Sequence, residues 1–205
     1  LKQTQACINN PAHLLDMELA MKTSLLIMLA LLPAPAAMAE DKAEALVLEA
    51  RQHTMAFAKA LKSTLMAGMK AEGPAAAINL CNIDAPALAE INSKDGWQVG
   101  RTSLKVRNPE NAPDAWETQV LESFERQLAA GVDVQILEAS RDQNGEFRYM
   151  KAIPVGGPCV ICHGDSLAAP VQARINELYP TDQAHGYLPG QLRGAFTLTY
   201  RPVQE

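Results

Sequence analysis

Five consecutive residues, Cys159-Val160-Ile161-Cys162-His163, constrain this chain more than any other feature. Two thiols three positions apart, with a histidine directly after the second, have the spacing of a covalent haem c attachment site. Each thiol can close a thioether onto a porphyrin vinyl group, and the adjacent imidazole is then held where it reaches the iron. Three other readings compete with this one. A zinc half-site needs a second pair of ligands, yet the remaining Cys7, Cys81, His13, His53 and His185 show no paired spacing. A thioredoxin-like redox pair belongs at a helix start beside a βαβ pattern, which the flanking residues lack. Chance is the third.

Haem c is attached outside the bacterial cytoplasm, so an export signal is expected. Met21-Lys22 supplies a positive start, residues 24–32 an apolar run, and Ala37-Met38-Ala39 a small-x-small cleavage site. The run is shorter than the roughly 20 residues that span a bilayer. Residues 1–20 read as upstream sequence with translation starting at Met21 or Met17, which sets Cys7 and His13 aside. Residues 21–39 then form the signal peptide and residues 40–205 a single periplasmic domain, with no stable membrane span after processing. A net charge of −5 without a Lys/Arg cluster argues against nucleic acid or an anionic membrane as partner. No second apolar span and no output domain are expected.

Periodicity gives helices first, then mixed structure. Ala43, Val47, Ala50, Phe57, Leu61, Leu65 and Met69 form one helical stripe that Gly73-Pro74 ends. A second helix runs through Ile78 to Cys81, and Pro86 either restarts or kinks it. A strand is predicted from Trp97 through Arg107, then a helix from about Pro113 carrying Trp116, Val120, Phe124 and Leu128. Alternating Val132, Val134 and Ile136 predict another strand, and Asn144-Gly145 a hairpin turn. A short helix spans about 170–178, and the last strand carries Leu192, Phe196, Leu198 and Tyr200. The fold class is α+β, an antiparallel sheet with helices packed on it.

Cys81 is the thiol left over once the motif is accounted for. In an exported protein it calls for a partner, a ligand role or burial, and an inert buried cysteine is a common outcome. Met55, Met66, Met69 and Met150 suit core filling, His53 a solvated face, and His185 is the best rival for the iron's other side. Arg101, Lys105 and Arg107 alternate along the predicted strand, so all three are candidates to face haem propionates, against ordinary surface charge. Trp97 and Trp116 read as core or haem-packing residues.

Ile78-Asn79-Leu80-Cys81, the long block from Gly96 to Glu117, the motif with Gly164, Tyr179-Pro180 and the segment Leu192-Arg193-Gly194-Ala195-Phe196 together carry a family resemblance. The chain resembles the c-type-haem domains with a PAS-like fold, long catalogued as a domain of unknown function and found in stand-alone cytochromes and bacterial sensor proteins. The resemblance implies about five antiparallel strands flanked by helices, with a long N-terminal helix before them. It also implies one covalent haem c with His163 and Cys81 as axial ligands. A thiolate there would lower the reduction potential and leave more readily after reduction, opening a position for CO, NO or oxygen. Redox or gas sensing through a separate signalling partner is the expected role, with an electron carrier as the alternative. Enzymatic function is not expected, because His53 and His185 lack a supporting catalytic signature.

Overall fold

The computed structural model describes residues 35–202. Of the expected export signal at 21–39, residues 21–34 lie outside the described residues, as do Cys7 and His13, and residues 35–39 belong to a helix. The chain divides into two units between Lys42 and Ala43, and the sheet, its packing and the cavity all belong to the second. Among the described residues, no helix is long and apolar enough to cross a membrane.

The elements run α1 (Pro35–Glu72), α2 (Pro74–Asn92), β1 (Trp97–Thr102), α3 (Ala115–Ala129), β2 (Glu138–Gln143), β3 (Glu146–Pro154), α4 (Val160–His163), α5 (Ala169–Leu178) and β4 (Leu192–Tyr200), with single 3-10 turns at Pro109–Asn111, Val134–Ile136 and Gly157–Cys159. The four strands form one antiparallel sheet in the order β1-β4-β3-β2. The class is α+β, as the sequence indicates, with four strands rather than about five.

Local chemistry accounts for the missing pieces of strand. Residues 103–107 leave the sheet because Ser103 turns its hydroxyl onto nearby backbone. It donates to the Arg193 carbonyl at 2.8 Å and accepts from the Lys105 N–H at 3.2 Å. Residues 134–136 coil because the Asp133 carboxylate accepts the Gln135 N–H at 2.9 Å. Short polar side chains offer the backbone an alternative to the ladder, and here that alternative wins. Pro86 neither stops nor restarts α2, which continues through it. The Asn144-Gly145 turn joins β2 to β3 as expected, both residues at positive φ (56° and 78°).

Helices cover both faces of the sheet. On one face α1 lays Leu46, Ala50 and Phe57, spaced at helical period, against Trp97, Val99, Tyr149 and Leu198. On the other, α3 packs Val120, Leu121 and Phe124 against Met150, Ala152 and Ala195. A capping box between Asp114 and Glu117 starts α3. Glu117 then anchors that end to the sheet by accepting from Arg148 (3.0 Å) and Thr197 (2.6 Å). Ile78 of α2 packs with Val171, Ile175 and Tyr179 of α5 and its end.

Candidate functional site

Beyond Phe57 the stripe of α1 borders open space, although Leu61 still packs against the cluster over the sheet. Leu61, Leu65 and Met69 are half-buried, and they line a cavity of about 500 Å³ together with Leu80 and Leu88 of α2 and Phe196 of β4. Apolar side chains at core spacing around so large a space are what a bulky apolar guest requires. Cys81, Arg101, Arg107, Cys159, Cys162 and His163 are on the same wall.

The motif is held ready on one side of that space. Gly156-Gly157-Pro158 leads into a 3-10 turn and then into the one-turn helix α4, with the Gly156 N–H 3.3 Å from Cys159 Sγ. The last carbonyls of α4 have no partner within it, and Gly186, Tyr187 and Arg107 supply donors to them and to the Gly164 carbonyl that follows. Tyr187 N–H donates to the His163 carbonyl at 3.0 Å and Gly186 N–H to the Gly164 carbonyl at 2.9 Å. Arg107 Nη2 donates to the Cys162 carbonyl at 2.6 Å, and the same guanidinium holds Asp182 through two contacts of 3.1 Å.

His163 Nδ1 lies 2.7 Å from the Ala184 carbonyl. A carbonyl only accepts, so Nδ1 carries the proton and Nε2 keeps its lone pair for a metal. Burial, with the cations Arg193 and Arg107, holds the imidazole well below its ordinary range and hence neutral. The Tyr187 ring stands perpendicular to the imidazole, 6.4 Å away between centroids.

Cys81 faces the same space from α2. Its own surface is exposed because it meets the open cavity, while the surrounding protein still pushes its thiol up. Arg101, Arg107 and Arg193 oppose that push. The three cysteines at the cavity are free thiols. Among the described residues, no group of three or more Cys, His, Asp and Glu is gathered closely enough to hold a metal ion alone.

These residues fit a haem. Two free thiols, a neutral imidazole with Nε2 available, a further thiol on another element, an apolar wall and cations beside it are the donor set and surroundings that such a group needs. His163 and Cys81 would hold the iron, and Cys159 and Cys162 the porphyrin.

A family model described as Tll0287-like matches residues 34–201. The chain belongs to the Tll0287-like family. Among solved structures it is similar to the cyanobacterial heme-protein Tll0287, at 28% identity and a TM-score of 0.55, covering 84% of this chain and 99% of that one. No curated protein matches.

The basic strip is corrected by the fold. Only Arg101 lies on β1, so the three residues do not alternate on one strand face. Lys105 is outside the cavity wall, its ammonium 5.1 Å from the Tyr187 ring centroid. Arg107 is on the wall but is engaged by Asp182. Of the rival ligands, Met66 and Met69 line the cavity. Met55, Met150, His53 and His185 do not. Trp97 is core beside α1, and Trp116 stacks under Arg148, 4.6 Å from its ring centroid, on the other face of the sheet. Sequence reasoning missed Arg193, Asp182, Ala184 and Tyr187. The Leu192-Arg193-Gly194 segment was the one available signal.

Proposed function

We propose that this chain is an exported c-type cytochrome holding one haem c, tethered through Cys159 and Cys162, with His163 and Cys81 as axial ligands. Its role is redox or gas sensing through a separate partner protein. The observation that carries the proposal is the meeting of Cys81, Cys159, Cys162 and His163 on the wall of one cavity. Family membership and the similarity to a cyanobacterial heme-protein support it.

Bound there, the haem supplies reversible one-electron chemistry at iron. Cys159 and Cys162 fix its position, and His163 presents Nε2 because Ala184 engages Nδ1. Cys81 brings a thiolate's negative charge, which favours the oxidised metal and a low potential. Because Cys81 stands on α2 and the other three residues on the motif, the tether through Cys159 and Cys162 would not depend on Cys81. A position that opens in one redox state is what sensing requires.

Electron transfer is the second reading. Ile161, between the two motif thiols, is exposed, as are Leu104 and Leu188, which adjoin the stacked Lys105 and Tyr187. Such apolar surface beside the motif suits a docking redox partner. Intact mass of the secreted protein tests the shared basis: one added haem is expected, and a bare polypeptide mass would exclude both readings. CO binding by the reduced protein favours sensing, and its absence favours the carrier.

A further inference from the structure

Charge set into a wall of low polarity needs a counter-charge, and among the described residues two guanidiniums of the cavity have no carboxylate partner. Arg107 is engaged by Asp182, the Cys162 carbonyl and the Ala184 carbonyl. Arg101 makes no hydrogen bond or ion pair with any described residue. Arg193 lies over the Tyr187 ring, 5.4 Å from its centroid, and donates through Nη1 to the Ser103 hydroxyl at 3.0 Å and the Lys105 carbonyl at 3.2 Å; among the described residues its Nε and Nη2 make no hydrogen bond. Asp84, the carboxylate on the cavity wall, pairs with neither.

The backbone delivers both groups to the cavity. Arg101 follows Trp97 and Val99 on one face of β1, beside Phe196 of β4. Arg193 falls where β4 slips against β3: Gly194 faces Ile153 and Leu192 faces Pro154, leaving Arg193 as the extra residue of a bulge. Bulges re-aim a side chain that strict alternation would send elsewhere. Gly194 permits this one, with φ of 154° and space for no Cβ, which would stand 2.3 Å from the Thr102 carbonyl.

We propose that Arg101 and Arg193 form a carboxylate-binding pair that holds the propionate groups of the porphyrin. This rests on the haem reading for the source of the carboxylates; a free carboxylate anion would meet the same guanidiniums. Burial disfavours the charge of both arginines, which is the strain a bound anion would relieve. Guanidinium and carboxylate match as planar, two-point partners.

The test uses the haem-loaded protein and its variants Arg101→Gln, Arg193→Gln and Arg101→Lys, with Arg126→Gln on the exposed side of α3 as control. Resonance Raman propionate-bending bands are expected to shift in both glutamine variants and to stay fixed in the control. The reduction potential should fall with each lost cation, and Arg101→Lys should restore the potential but not the bands. A potential that falls while the bands stay fixed would make the arginines remote charges and overturn the pair. Should a glutamine variant fail to fold, the Nε–H signals of the two arginines in the reduced wild-type protein decide. Slow exchange unaffected by acetate supports propionate pairing, and fast exchange with solvent overturns it. Saturable acetate-induced shifts retain the pair but replace its ligand with a free anion. A protein whose absorption spectrum lacks haem refutes the proposed function alone, and the acetate titration still decides the pair.

Discussion

Replacing Asp182 with alanine should destabilise the folded protein by about 3 kcal/mol, the low end of the cost of breaking a buried pair from one side. Arg107 and Asp182 are 10% and 9% exposed at their side chains and meet through two contacts of 3.1 Å. Asp182 also accepts the Ala184 N–H at 2.9 Å. Its removal strands a buried guanidinium and frees the segment that holds His163. The low end of the range applies because Arg107 keeps its bonds to the Cys162 and Ala184 carbonyls, and bonds to a charged donor are individually worth about 1.5–3 kcal/mol. In a domain of this size the loss corresponds to roughly 6–12 °C in Tm. Urea unfolding followed by circular dichroism should show a lower midpoint with an unchanged slope. The double variant Arg107→Leu/Asp182→Leu should recover most of the loss, since an apolar pair leaves no stranded charge. A loss below about 1 kcal/mol, as for an exposed ion pair, would refute the role of this contact in securing the motif.

Gly194→Ala should cost about 1–3 kcal/mol, the usual scale of backbone strain, because an added Cβ would collide with the Thr102 carbonyl; thermal unfolding measures it. Glu138 tests acid stability. Its hydrogen bond from Arg51 is the first cause, with Tyr149 also donating, and together they hold its pKa down to about 2 from 4.5 against the opposing effect of burial. A depressed carboxylate stabilises the fold fully above pH 4.5 and loses that contribution as pH falls toward 2. Glu138→Gln should therefore narrow the stability gap from wild type across that window, and a pH-independent gap would contradict the linkage.

Much of the architecture was legible because it follows from periodicity. The stripe from Ala43 to Met69, the α3 stripe, the Asn144-Gly145 turn and the alternation of β4 each state a local preference that the fold keeps. The strand ends were not legible. Ser103 and Asp133 redirect the chain through side-chain bonds whose rivalry with the sheet depends on tertiary context. At the site, local spacing marked the motif; the leftover thiol Cys81 stayed open between ligand and inert core until the family resemblance pointed to a ligand. Arg193 was hidden because alternation says nothing of a bulge. The engagement of Arg107 was hidden because Asp182 lies 75 residues further along the chain.

The most direct measurement is the electron paramagnetic resonance spectrum of the oxidised protein beside that of Cys81→Ser. Wild type should give the signature of a ferric haem bound by thiolate, and the substitution should abolish it. Identical spectra would remove Cys81 from the iron, leaving Met66 or Met69 on the same cavity wall to take its place.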